Sequence, residues 1–226
     1  MGAEAATVTY TERREETRKR IIDAYWRLRT EMPVSQLKVR SIADTAGCSR
    51  TTFYQYFDSI YDLQEQAEEE LIQEYVANAA ARISSLRDTG SYSLTDLTTE
   101  LMESFSERLS ALFIYSDSTS ISLRLTDAMR PIYASLFELN AEDPIDAFLI
   151  DTVTSYSIVT LVNWYRHGKP VPIQEVSAGV DALFTEWIMP HAYRYKQAAK
   201  AEAETPAPDE PHDSETAGVE QTCNDN

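Results

Sequence analysis

The chain has 226 residues, with 20 Lys plus Arg against 37 Asp plus Glu and a net charge of −17. That length fits one large domain or two small ones, and 43% hydrophobic with 25% charged residues is the composition of a folded chain rather than a disordered one. No apolar run approaches the roughly 18 residues of a membrane-spanning helix, and Met1 to Tyr10 has neither the basic nor the apolar region of a signal peptide.

Glycine is scarce, with six in the chain, and apolar residues recur at helical spacing, with no alternation long enough for a strand. The expected fold is therefore all-α. Residues 1–11 read as a flexible N-terminus. Ile21, Ile22, Tyr25 and Leu28 then form one stripe of a first helix over 12–31, closed by Met32-Pro33. A short helix is expected at 39–46, stopped by Gly47, and another over 50–57. Ser59 followed by Asp62 is a capping box that opens a long helix to about Arg87. Gly90 ends that stretch, and Ser93 with Asp96 repeats the box for a helix to Tyr115. A further helix covers 121–139.

The last two helices are marked most sharply. Asp143-Pro144 is an N-cap followed by proline at the first helical position, where its missing N–H is no loss. That helix ends at His167, with Gly168 in the left-handed position beyond it. The final helix spans about 172–195, with an apolar seam of Ile173, Val176, Val180, Leu183, Phe184, Trp187 and Ile188. Residues 197–226 carry no apolar stripe and read as a disordered acidic tail.

Charge is unevenly spread. Residues 1–60 hold half of all Lys and Arg and carry about +2, whereas 61–195 carry −13 and 196–226 carry −6. The asymmetry points to a small module that meets a polyanion, joined to a larger one that does not. Within the small module, Val39 to Leu63 places two short helices around Ala46-Gly47-Cys48-Ser49. The glycine permits a left-handed turn and Ser49 can cap the second helix. Ile42, Ala43, Ala46 and Phe53 have the spacing to pack the pair together. This is the pattern of a helix-turn-helix, whose second helix enters the major groove.

The segment from Arg18 to Leu71 resembles the TetR family of bacterial regulators, in particular members whose recognition helix reads as Ser49-Arg50-Thr51-Thr52-Phe53-Tyr54-Gln55-Tyr56-Phe57 does here. The block Asn163 to Pro170 looks like the end of the penultimate helix in the same group. The resemblance implies a TetR-like all-helical homodimer. It would consist of a three-helix DNA-binding domain over 12–60 and a helical regulatory and dimerisation domain over 61–196, with dimer contacts through 143–167 and 172–195. It also implies double-stranded operator DNA as partner, a repressor's role and a small-molecule inducer. The alternative is an architectural or protein-docking DNA-binding protein without an inducer. The chain departs from the family at three places: Lys38 stands where threonine usually caps the second helix, Met32-Pro33 where glycine is common, and Ile60 where a lysine usually meets a phosphate.

On this reading Arg50 contacts guanine O6 and N7, and Arg40 is the second base-reading candidate. Thr51 and Thr52 suit a thymine methyl or a phosphate, Gln55 an adenine, and Tyr54 and Tyr56 the phosphates; Ser49 heads the helix. Phe113, Tyr133, Phe137, Tyr156 and Trp164 are the candidates to line an inducer pocket. No catalytic, cofactor or metal motif is expected: His167, His191 and His212 lie in separate segments, Cys48 and Cys223 are isolated, and no nucleotide loop or nucleophile elbow occurs. Gly2 follows Met1, but Ala6 stands where a myristoylation site wants Ser or Thr. A cytoplasmic location with no membrane partner is the expectation.

Overall fold

In the computed structural model the described residues are 2–89, 94–115 and 118–204. Among them every regular element is helical: α1 (Gly2–Arg29), a 3-10 turn (Val34–Gln36), α2 (Val39–Ala46), α3 (Arg50–Phe53), α4 (Ile60–Thr89), α5 (Leu94–Tyr115), α6 (Ser118–Leu136), α7 (Pro144–Arg166), α8 (Ile173–Ala182), a π-helical turn (Leu183–Ile188) and α9 (Met189–Glu204). Gly90 and Ser93, read above as stop and cap, lie outside the described residues, as do His212, Cys223 and the tail beyond 204.

The local chemistry behind the boundaries is explicit. Ser59 Oγ accepts from Asp62 N–H at 3.1 Å, and the Asp62 carboxylate turns back to Asp58 N–H at 2.8 Å, so α4 starts where the capping box places it. Asp143 accepts from the N–H groups of Ile145 and Asp146 at 3.0 and 2.9 Å. At the far end of α7, Gly168 (φ 72°) donates to Tyr165 O and Lys169 to Trp164 O, the paired bonds of a Schellman motif.

Three elements differ most from the sequence expectation. α1 begins at Gly2, so 2–11 is helical; the run Ala3-Glu4-Ala5-Ala6 consists of strong helix formers. α3 is α-helical only over Arg50–Phe53, because Gln55 and Tyr56 bond three residues back, to Thr52 O and Phe53 O, and tighten the chain into a turn. The final helix continues to Glu204, so 197–204 is helix and not tail. Its phase also changes: Met189 N–H bonds five residues back to Phe184 O ahead of Pro190, which has no N–H of its own to give. Ile173, Val180 and Phe184 are buried as the seam requires, but Trp187 is 68% exposed while Ile188 and Met189 pack on the core.

α7 corrects a further expectation. With 23 residues and a mean hydropathy of 1.5 over its most apolar window it has the length and composition to cross a membrane. Scattered Ser, Thr and Asp interrupt its apolar runs, which is why no run stood out. Half of that window is buried inside the chain, and Asp146, Thr154 and Ser157 lie within the protein, hydrogen-bonded to backbone. That is the packing of a core helix.

Two halves share one apolar core. In the first, Ile21, Tyr25, Ile42, Phe53, Phe57 and Leu63 bring α1, α2, α3 and the start of α4 together. In the second, α5 lies against α8, α6 against α7, and Phe105, Phe113, Tyr133, Tyr165 and Phe184 fill the middle. α4 spans both. Arg18 of α1 pairs with Glu70 and donates to Gln66 at 2.9 Å, while Arg124 of α6 reaches Glu68 at 3.2 Å and Glu69 at 2.9 Å. Arg29, fully buried at the end of α1, donates to Met32 O at 3.0 Å and to Ala111 O of α5 at 3.4 Å.

Candidate nucleic-acid interface

The bend between α2 and α3 is set by backbone chemistry. Gly47 sits at φ 67°, ψ 38°, a left-handed conformation that costs L-residues about 1–2 kcal/mol. Its N–H donates to Asp44 O and that of Cys48 to Ala43 O, a second Schellman motif. Cys48 is its apolar contact, half-buried against the core, and burial pushes its thiol pKa up. Ser49 then caps α3: its Oγ accepts from Thr52 N–H at 3.0 Å and lies 2.9 Å from Thr52 Oγ1. Ser49→Ala is expected to cost about 1 kcal/mol of stability, a few degrees of melting temperature by calorimetry.

The structure sorts the sequence candidates into three groups. Arg50, Thr51, Tyr54 and Gln55 are exposed on and just after α3, and the Arg50 guanidinium has no ion pair among the described residues. Ser49 and Thr52 are engaged with one another as the cap. Tyr56 is the tyrosine that packs: it is half-buried, tilted against Phe57 with ring centroids 6.5 Å apart, whereas Tyr54 stays 55% exposed. Arg40 lies exposed at the second position of α2, 3.6 Å from Asp44. An exposed i,i+4 pair of this kind is worth only a few tenths of a kcal/mol and leaves the guanidinium available. Lys38 precedes α2 without any side-chain cap, and Ile60 is half-buried at the head of α4.

Two cations escaped the sequence reading. The Arg20 guanidinium lies about 4.0 Å from where a Cβ at position 47 would stand, against the turn itself. Arg14 lies 5.9 Å over the Tyr56 ring. Both sit in the basic stretch of α1, and the charge asymmetry was the signal that pointed there. Arg14 and Arg20 thus lie against the helix-turn-helix, whose own Lys38, Arg40 and Arg50 are exposed.

In the second half the five aromatic candidates do not form one group. Tyr133 stacks on Phe137, which lies 4.3 Å from Phe184 by ring centroids. Phe113 packs on Tyr165, and Trp164 meets Tyr165 edge-on while its indole N–H donates to Val171 O at 2.8 Å. Tyr156 is 44% exposed on the outer side of α7. Lys169 accounts for part of the Asn163–Pro170 block: its ammonium sits 4.7 Å over Tyr165 and donates to Ser106 Oγ at 3.1 Å. Sequence reading passed over the phenols of Tyr75 and Tyr165. Burial pushes Tyr75 well above the ordinary value and Tyr133 and Tyr165 up to about 12. A separate open groove of about 820 Å³ lies between α1, α4 and α6, lined by Arg18, Glu68, Glu69 and Arg124 among others, and by none of the five aromatics. Hydrogen bonds from Arg124 and Gln73 hold the Glu69 carboxyl below its usual pKa. His167 and His191 each place Nδ1 against a carbonyl of their own helix, 2.8 Å from Asn163 O and 2.6 Å from Trp187 O.

Residues 21–67, which comprise most of the three-helix unit and the start of α4, match the family described as bacterial regulatory proteins, tetR family. The fold is similar to that of a tetR-family transcriptional regulator from Streptomyces coelicolor, with a TM-score of 0.65 and 18% identity over 83% of this chain and 86% of the other. It is also similar to a TetR transcriptional regulator from Streptococcus agalactiae 2603V (TM-score 0.57, 18% identity, 79% and 98% covered). The fatty acid degradation regulator FadR from Bacillus halodurans gives a TM-score of 0.57 at 15% identity, with 74% and 94% covered. No curated protein matches the sequence.

Proposed function

We propose that this chain, a DNA-binding transcriptional regulator of the TetR family, acts as a homodimeric repressor on an inverted-repeat operator and is released by a small molecule. In this reading 12–60 is the DNA-binding domain and 61–196 the regulatory and dimerisation domain. The observation that carries it is the Gly47 turn with its Ser49 cap. Together they present Arg50, Thr51, Tyr54 and Gln55 to solvent while Phe53 and Phe57 are sealed in the core. Exposed polar side chains on a short, well-anchored helix ringed by cations are what base-edge reading requires. Arg50 is assigned to guanine, Gln55 to adenine, Thr51 to a thymine methyl or phosphate, and Tyr54 to the backbone. Arg40 supplies a second base contact. Ser49 and Thr52 serve by holding the helix start, and the Tyr56 hydroxyl serves at the flank.

Dimerisation is assigned to the outer faces of α7 and the last helix. Phe148, Tyr156 and Val159 recur along one side of α7 and are 67%, 44% and 52% exposed, as Trp187 is on the last helix. A row of this kind is covered by its own copy across a two-fold axis. Leu183→Glu with Trp187→Glu is expected to yield a folded monomer by sedimentation, with circular dichroism as the check on folding. A folded double variant that still sediments as a dimer moves the interface elsewhere.

The test of function is selection of bound duplexes from a random pool. The expected product is an inverted repeat with half-site centres about 34–36 Å apart, or a multiple of that. Selection without any recurring sequence overturns the reading. The inducer is assigned to the interior between α5, α6, α7 and α8, where Phe113, Tyr133, Phe137 and Trp164 lie. Loss of operator binding on adding neutral or cationic organic molecules supports this assignment, and unchanged binding across such a panel favours the inducer-free alternative.

A further inference from the structure

We infer that the inducer is a neutral carbonyl compound, a ketone, ester or lactone on an apolar frame, and that Tyr75 of α4 donates to its carbonyl inside the regulatory half. The inference rests on the inducer reading above and narrows it to one chemical class and one hydroxyl.

Tyr75 stands where four helices converge. Its ring meets Phe105 of α5 edge-on, with centroids 5.3 Å apart. Tyr133 of α6 and Tyr165 of α7 lie close enough that each raises the cost of ionising it. Tyr165 packs on Phe113 and directs its own hydroxyl at Met102 Sδ of α5, 3.8 Å away. All three phenols are buried, but they differ in what their hydroxyls already hold. Hydrogen bonding to Ser157 eases the burial of Tyr133, and bonding to Ser106 eases that of Tyr165. No hydrogen bond offsets the burial of Tyr75, which is 3% exposed. Two more interior hydroxyl oxygens have no partner among the described residues: Thr99 Oγ1 on α5, one turn before Met102, and Ser177 Oγ on α8, which lies against α5. Buried hydroxyls without partners are costly and few in native interiors. Here they gather in the half assigned to the ligand.

The surroundings decide the charge of the ligand. Among the described residues the buried charged side chains are Arg29, Glu68 and Asp146. Arg29 and Glu68 belong to the junction with the DNA-binding half, and Asp146 is taken by Asn140 N–H at the head of α7. None of them acts on Tyr75, Tyr133 or Tyr165. Lys169 lies over the Tyr165 ring, but it is exposed and already bonded to Ser106. An ammonium or carboxylate among the phenols would lose its water and meet no opposite charge. A protonated phenol without a bond lacks an acceptor for its proton, and a carbonyl oxygen supplies one at no net charge. The rings of Phe105, Phe113 and Tyr165 suit the apolar remainder.

The test is calorimetric titration of the full chain with four probes on one phenyl-and-four-carbon frame: 4-phenylbutan-2-one, butylbenzene, 4-phenylbutanoate and 4-phenylbutylammonium. The ketone is expected to bind about tenfold or more tightly than either ion, and more tightly than butylbenzene. Tyr75→Phe keeps the ring and removes the hydroxyl. It is expected to weaken the ketone about two- to tenfold, the loss of one hydrogen bond, and to leave butylbenzene unchanged. Tyr193→Phe, exposed on the last helix, is the control and is expected to change neither. Equal weakening of ketone and hydrocarbon by Tyr75→Phe marks a packing effect and overturns the role of the hydroxyl. Tighter binding of either ion, or binding of none of the four, overturns the class; this comparison is made on wild type and does not depend on the stability of a variant. Operator release is read separately, by anisotropy. Release by an ion with no response to the ketone leaves the inducer reading standing and overturns this one. A ketone that binds as expected and never releases the operator keeps the Tyr75 site and overturns the inducer reading.

Discussion

Replacing Arg50 with alanine lowers operator affinity by about 1–3 kcal/mol per half-site, roughly fivefold to 150-fold, and relaxes preference at one symmetric base-pair position. The side chain stands exposed at the first position of α3 with no ion pair to lose. The melting temperature is therefore expected to stay within about a degree, because surface changes away from caps and cores are close to neutral. Arg50→Lys separates charge from geometry: it keeps the phosphate attraction but loses the planar fork that spans two acceptors on guanine. Its affinity is expected to fall less than that of the alanine variant while its preference relaxes as much. Titration against the selected operator and its single-base variants measures both. Unchanged affinity and unchanged preference for Arg50→Ala would mean that α3 does not read the groove.

Stability is expected to collapse in alkali between pH 10 and 12. Among the described residues four phenols sit inside the chain. Burial raises Tyr25, Tyr133 and Tyr165 from 10.0 to about 12, with Arg29 opposing the rise at Tyr25, and takes Tyr75 well above its ordinary value. Below pH 10 all four are protonated in both folded and unfolded chains, so their contribution is fully present. Above it the unfolded chain releases protons that the folded chain retains, and stability falls as pH rises towards the folded values. Each phenol contributes about 1.4 kcal/mol per pH unit, so four together approach 5 kcal/mol per unit. Two such units remove about 10 kcal/mol, most of the roughly 5–15 kcal/mol by which a domain is stable. Urea midpoints measured from pH 8 to 11.5 are expected to be flat and then to drop steeply. Tyr133→Phe is expected to shallow the drop by about a quarter. A gentle decline beginning below pH 9 would show that these phenols are not what fails.

What was legible in the sequence was local chemistry. Gly47, Ser49, Ser59 with Asp62, and Asp143-Pro144 each act on backbone groups within a few residues, and each sits where its type requires. The aromatic spacing of Phe53 and Phe57 was legible too, but it imitates a helix that the chain abandons after Phe53 for tighter bonds. Which of two neighbouring tyrosines packs was not readable, because Tyr56 is held by Arg14 of α1, forty-two positions away. The aromatics of the regulatory half carried even less information. Tyr156 and Tyr133 have the same chemistry, and only the arrangement of α6 against α7 buries one and exposes the other.

The π turn at Leu183–Ile188 carries a consequence for the last helix as a ruler. One extra residue in a helix of 3.6 per turn advances everything beyond it by about 100°. Positions 173, 177, 180 and 184 are marked off on one scale, and 188 and 189 on another set about a quarter-turn away. The rotation carries Trp187 out of the chain's own interior and into solvent, where its ring lies parallel to that of His191. Removing a single residue such as Thr185 would slide the two scales into one. Trp187 would then turn inward, and the helix beyond it would turn with it. The outward face of this helix is thus specified by chain length as much as by residue type, and an alignment that closes a one-residue gap here would pair the wrong faces.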